Sequence, residues 1–243
     1  MFRLCATKAL AIFTFGFFSA FAIADNPLNH NGVTRVNDPY VQALEREIEL
    51  RTFYQNDDDP LEDGLMRQEI TYGFSVNDRI FAEAYLKGTR LPGQSFEFSA
   101  YELEAKIQLT EQGEYGFDWG MLIEYEREFS ESIAELGTVL IASKQIGRWV
   151  ATVNAGLEYE FGSDIENEVD TFLAAQWRYR YRETLEPGIE FYADEFTRGV
   201  GPVLTGLIRG QGKRKWHWEA GLIAPLNDTT PDRTLRFLLE YEF

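Results

Sequence analysis

Residues 149 to 161 alternate almost throughout. Trp149, Ala151, Val153, Ala155, Leu157, Tyr159 and Phe161 share one parity, against Thr152, Asn154, Gly156, Glu158 and Glu160 on the other. A period of two sends successive side chains to opposite faces of a β-strand, so this stretch predicts a strand with one apolar and one polar face. The pattern recurs. In 115 to 126, Tyr115, Phe117, Trp119, Met121, Ile123 and Tyr125 oppose Gly116, Asp118, Gly120, Glu124 and Glu126. In 169 to 182, Val169, Leu173, Ala175, Trp177, Tyr179 and Tyr181 oppose Asp170, Gln176, Arg178, Arg180 and Arg182. Segments 101 to 109, 216 to 224 and 234 to 243 follow the same rule, and 45 to 54, 67 to 76, 79 to 87, 133 to 145, 186 to 194 and 200 to 210 follow it more loosely. In the first of these, Val41, Leu44 and Ile48 also fit helical spacing, but the alternation of Glu45, Glu47 and Glu49 favours a strand.

Two kinds of connection separate the segments in turn. One is acidic or rich in Pro and Gly, as in 55 to 64 (QNDDDPLEDG), 127 to 132, 162 to 167 and 227 to 232; the other is mostly tight, as at Asn77-Asp78 and Gly147-Arg148. Strands joined in this way form an antiparallel meander. Twelve segments are counted, with ten or fourteen strands as the alternatives because 41 to 54 and 200 to 210 are weak. No linker or composition shift interrupts them, so 41–243 reads as one domain.

The first 24 residues differ. Arg3 and Lys8 precede an apolar run from Ala9 to Ile23, and Ala22 and Ala24 place small residues before Asp25. That is the layout of a secretory signal peptide cleaved after Ala24, and the run is shorter than the roughly 18 residues of a spanning helix. Its removal takes away Cys5, the only cysteine, and leaves 21 basic residues against 40 acidic ones, a net charge of −19. So acidic a chain argues against nucleic acid as a partner. Residues 25–40 read as a periplasmic segment ahead of the domain.

Periodicity alone does not say which face is wet. In a soluble sandwich the apolar face points inward, and in a transmembrane barrel it meets lipid. Aromatic residues concentrated at strand ends (Tyr115 and Tyr125, Trp149 and Phe161, Tyr241 and Phe243) match interfacial girdles, and few long lysines occupy the polar face. The last ten residues, TLRFLLEYEF, put Leu235, Phe237, Leu239, Tyr241 and Phe243 on one face and end on an aromatic. With the signal peptide and the twelve amphipathic segments, this ending resembles Gram-negative outer-membrane β-barrel proteins. The resemblance implies an all-β, antiparallel up-and-down transmembrane barrel, integral to the outer membrane, with both termini periplasmic and the acidic loops outside. It also implies contact with outer-membrane lipid and lipopolysaccharide, and biogenesis by the barrel assembly machinery, which reads the final strand; Phe237, Leu239, Tyr241 and Phe243 are its signal here.

In such a barrel the polar parity lines the lumen. Arg178, Arg180 and Arg182 would form a ladder with steps of about 7 Å. Acidic combs would oppose it: Glu102 and Glu104, Glu124 and Glu126, Glu158 and Glu160, Glu240 and Glu242. Charges in a narrow lumen must be paired or hydrated, so they either fill the barrel as a salt-bridge lattice or polarise a pore. The expected function is a small passive channel or transport-associated barrel for small solutes, cation-preferring if open. The alternative is a non-conducting structural or surface-interaction barrel with a salt-bridged lumen. A lipid-modifying enzyme comes third, because nucleophilic chemistry needs a serine within reach of a histidine, and neither His30 nor His217 has a nearby serine in sequence. No cofactor is expected. Asp57, Asp58, Asp59, Glu62 and Asp63 supply oxygen ligands of the kind hard cations take, but without EF-hand spacing they read as a solvated loop.

Overall fold

Period-two strands need partners on both edges, and in lipid an unpaired edge is prohibitive. The structure, a computed structural model, meets this demand by closing a ring. It describes residues 33–60, 62–163 and 165–243; Ala22, Ala24, Cys5 and His30 lie outside the described residues. The strands are β1 (Arg46–Asn56), β2 (Met66–Ser75), β3 (Ile80–Arg90), β4 (Glu97–Gln108), β5 (Asp118–Glu128) and β6 (Ile133–Ile146). They continue as β7 (Trp149–Gly162), β8 (Glu168–Tyr179), β9 (Glu186–Ala193), β10 (Arg198–Arg209), β11 (Lys215–Pro225) and β12 (Arg233–Glu242). Each pairs antiparallel with the next, and β12 returns to β1 with Glu47 opposite Glu242 and Asn56 opposite Arg233. The chain is an all-β closed barrel of twelve antiparallel strands, as the alternation predicts. Strand boundaries shift by up to four residues from the sequence reading, with β4 opening at Glu97 and β5 at Asp118. The first strand opens at Arg46, and β8 stops at Tyr179, so Arg180 and Arg182 lie in the following turn.

Burial is inverted relative to a soluble protein. Arg236, Glu49 and Glu190 are 2%, 0% and 0% exposed, whereas Leu50, Leu157 and Trp177 are 42%, 52% and 55% exposed. Charges face the lumen and aliphatic side chains face outward, the arrangement that lipid requires. Along β7 the outward residues from Trp149 to Tyr159 span about 33 Å of strand, or about 25 Å along the axis at a tilt of about 40°, which matches the height of a membrane-facing apolar band.

Aromatic residues bracket that band. At the end that carries the first and last strand termini (the terminal end), Trp149 packs on Trp177 and Tyr179 at 5.0 and 4.8 Å, and Trp216 packs on Tyr241 at 4.5 Å. At the opposite, loop end, Tyr101 meets Phe129 at 5.9 Å and Tyr159 stacks on Phe161 at 5.5 Å. The loop-end connections are 57–65, 91–96, 129–132, 163–167, 194–197 and 226–232, and every charged residue in them is acidic.

Phe243 seals the β12–β1 seam. Its amide donates to the Arg46 carbonyl at 2.9 Å, and its ring stacks on Tyr241 at 5.8 Å. Deleting Phe243 is expected to lower the yield of heat-modifiable, membrane-integrated protein, because closure and the proposed assembly signal share this residue. Unchanged yield in the outer-membrane fraction would remove that role.

Candidate functional site: the lumen and its strap

The lumen has two unlike walls. On β9, β11, β12, β1 and β2 acids and bases alternate in contact. The Arg236 Nη2 donates to both oxygens of Glu190 at 2.7 and 2.8 Å, and its Nη1 lies 2.8 Å from Glu219. Glu190 also accepts from Gln176 at 2.8 Å and from the Tyr192 hydroxyl at 2.6 Å. His217 sits 3.6 Å from both Glu219 and Glu240. Arg51 bridges Glu49 at 2.6 Å and Glu69 at 3.0 Å.

The wall formed by β3 to β8 is dominated by carboxylates. Glu83 stands opposite Glu104, Glu104 opposite Glu124, Glu102 opposite Glu126, Glu126 opposite Glu135, and Glu158 opposite Asp170. Like charges in directly opposed positions repel. Lys87 offsets part of this by reaching both Glu102 and Glu126, and Lys106 lies 5.4 Å over the Phe81 ring.

Residues 33–41 join no strand and run through the lumen, and 42–45 lead from its terminal end into β1. Near the terminal end the Val41 amide donates to the Gln108 side chain at 2.8 Å, and the Tyr40 hydroxyl donates to Asp118 at 2.7 Å. Pro39 lies against Gly120, where an added Cβ would come within 2.8 Å of the Pro39 Cα; only glycine admits that approach. Asn37 and Asn154 exchange two hydrogen bonds, at 2.7 and 2.8 Å, as two strands would. The segment then crosses to the opposite wall. Arg35 donates to Glu49 at 2.8 Å and to Glu240 at 3.3 Å, the Tyr192 hydroxyl donates to the Thr34 carbonyl at 2.9 Å, and Arg67 donates to the Val33 carbonyl at 3.1 Å. Val33 and Val36 are buried with Phe53, Ala174, Tyr192 and Ile223. Backbone groups inside a barrel need partners, and this strap takes them largely from side chains. The expectation that 25–40 lies outside the barrel is corrected for residues 33–40, which lie inside it.

Above the strap a cavity of about 360 Å³ extends to the loop end. Arg35 and Asn37 form its deep end, Glu195, Thr229 and Pro231 line its mouth, and its lining carries thirteen carboxylates against four cations. Glu102, Glu104, Glu124, Glu126, Glu158 and Glu160 all line it, whereas Glu240 and Glu242 lie deeper. Glu240 meets Arg35 and His217, and Glu242 bonds Lys215 at 2.5 Å.

The arginine ladder does not oppose these acids. Arg178 and Arg180 both contact Glu186, at 3.3 and 3.4 Å, and Arg182 lies 5.0 Å over the Tyr181 ring beyond the strand. The cations at the acidic cavity are instead Arg51, Arg67 and Lys87, which the alternation of their own strands does not single out, and Arg35, which lies in the strap. A lone Arg or Lys on a polar parity is ordinary in sequence, and only strand pairing shows what it faces.

In the loop 57–65 the acids make turn contacts. The Asp59 amide donates to Asp57 at 2.7 Å, and Asp63 accepts from the Asp57 amide and the Asn56 side chain, both at 3.3 Å. Burial, and then the Asp57 and Asp59 charges, raises the Glu62 carboxyl above its ordinary range. Among the described residues, the carboxylates that gather within 4.8 Å of one another are Glu168, Asp170 and Glu195, not these. His217 has carboxylate neighbours rather than a serine.

No protein-family model matches the sequence, and no curated protein is similar to it. Solved structures are. The chain is similar to the KdgM porin, solved in complex with disordered oligogalacturonate, at 11% identity and a TM-score of 0.53 over 81% of this chain and 98% of that one. It is also similar to an outer-membrane channel from Pseudomonas putida F1, at 12% identity and a TM-score of 0.56 over 86% and 99%. With the inverted burial, this likeness defines the chain's fold as that of an outer-membrane β-barrel.

Proposed function

We propose that the protein is a narrow channel for small solutes that prefers cations. The observation that carries this reading is the cavity above the strap, which reaches the loop end with thirteen carboxylates against four cations in its lining. A confined surplus of one sign concentrates counter-ions and repels co-ions. The porin and channel folds noted above support the general role; oligogalacturonate is a ligand of KdgM, and an acidic polymer does not suit this acidic lining.

Reversal potentials in planar bilayers, under a potassium chloride gradient, test the reading. Cation selectivity is expected at 0.1 M salt and should weaken towards 1 M, as the Debye length falls from about 10 to about 3 Å. The triple variant Glu104→Gln, Glu124→Gln, Glu158→Gln should reduce it. Anion selectivity would overturn the assignment.

One observation favours the second reading, a non-conducting structural barrel. The strap and the alternating charge wall fill one side of the lumen from the terminal end to beyond its middle, and a fully paired lattice stiffens a barrel. Absence of current from the wild type and from every variant with the strap removed would select it.

A further inference from the structure

Residues 33–43, of which 33–41 fill the lumen, form no part of its wall. They are held by side-chain contacts, chiefly at Gln108, Asp118, Asn154, Glu49, Glu240 and Tyr192. The ladders on either side of β1 are complete without them. Their departure would therefore leave the barrel closed. At the foot of the strap Leu44 is 81% exposed and has a φ of 63°, a left-handed conformation that leucine adopts at a cost. The chain thus turns from strap to wall at an unburied, strained residue.

The anchor deepest in the charge network is Arg35. Glu49 and Glu240 are direct cross-strand neighbours on β1 and β12 and face the lumen almost wholly buried, at 0% and 5% exposure. Two opposed carboxylates repel unless a cation stands between them. Arg51 serves Glu49 and His217 serves Glu240, but Arg35 is the group that touches both. It also forms the deep end of the acidic cavity, so a solute that has crossed the cavity from the loop end meets this guanidinium at its floor.

We propose that residues 33–43 are a displaceable plug, and that Arg35 occupies, between Glu49 and Glu240, the place of the cationic group of a passing solute. The solute class is then one bearing a guanidinium or primary ammonium group. This inference rests on the channel reading. With the strap out, the Glu49–Glu240 pair continues the acidic wall towards the terminal end. An anion has no such station, since Arg51 beside the pair is already engaged with Glu49 and Glu69, and His217 already faces Glu219 and Glu240.

A cysteine pair tests the plug. Asn37→Cys with Asn154→Cys places two thiols where the strap crosses to β7, in a chain whose only native cysteine is Cys5, at the extreme N-terminus. Bilayer current is expected to be lost on oxidation and restored by dithiothreitol. A second variant lacking residues 33–43 is expected to conduct several-fold more than wild type, with folding verified by heat-modifiable mobility. In that variant, millimolar ethylguanidinium should block the potassium current, and Glu49→Gln with Glu240→Gln should relieve the block. Equal currents in oxidised and reduced forms would overturn the plug while the channel reading stands. A block that ignores the two glutamine substitutions would overturn the cation station. No current from any folded form would overturn the channel reading itself.

Discussion

Replacing Arg236 with methionine is expected to destabilise the barrel by about 3–5 kcal/mol, the loss associated with removing one partner from a buried ion pair. Its side chain is fully buried, its guanidinium engages both Glu190 oxygens and Glu219, and those acids are themselves 0% and 5% exposed. Methionine fills similar volume, so a cavity is not the main term. The cost comes from leaving two carboxylates beside Gln176, Tyr192 and His217 without their principal cation. For a chain of this size such a loss lowers the unfolding midpoint by roughly 6–20 °C. Urea unfolding in lipid vesicles measures it directly. Adding Glu190→Gln and Glu219→Gln to Arg236→Met should restore much of the loss, because neutral amides need no counter-charge. If the single and triple variants were equally unstable, packing rather than charge would be what Arg236 supplies.

The same residue shows what could be read from the sequence. Arg236 stands on the polar parity of the last strand, so its inward orientation follows from alternation alone. Its partners do not, because Glu190 is 46 residues away in sequence, and only the closed ring brings β9, β11 and β12 to one side of the lumen. Alternation likewise indicates all twelve strands and the grouping of acidic loops at one end, since these depend on side-chain period and on the parity of connections. It fails at strand ends. Tyr179 and Tyr181 continue the outward parity past the point where the chain turns, so the ladder of Arg178, Arg180 and Arg182 looks continuous in sequence but straddles a strand end. It fails altogether for the strap. Residues 33–40 have no period, and their partners lie 14, 117 and 205 residues away. Asn154, a small amide at mid-strand on the polar face, is the nearest thing to a signal, because a buried amide requires a partner and its own strand neighbours supply none.

Placing an arginine at Ala155 is expected to cost about 2–4 kcal/mol in a bilayer, whereas the same change at Ala151 should cost about 0–1 kcal/mol. Both alanines face outward from β7. Ala155 stands opposite Leu140 and Leu173, which are 48% and 38% exposed, midway between the aromatic girdles. Ala151 stands opposite Trp177, beside Trp149 and within the terminal-end girdle, where a guanidinium reaches water and lipid headgroups. Depth in the membrane is therefore the variable that separates two chemically identical substitutions on one strand. On a water-facing surface both would fall within about 0.5 kcal/mol of wild type. Reversible unfolding in lipid vesicles of both variants resolves a gap of this size. A flat result would place water on the outside of β7, and the acidic face opposite would no longer line a membrane pore. A gap of about 2 kcal/mol or more would fix the lipid on the apolar parity, and with it the inward direction of Glu158 and Glu160, on which the cation preference depends.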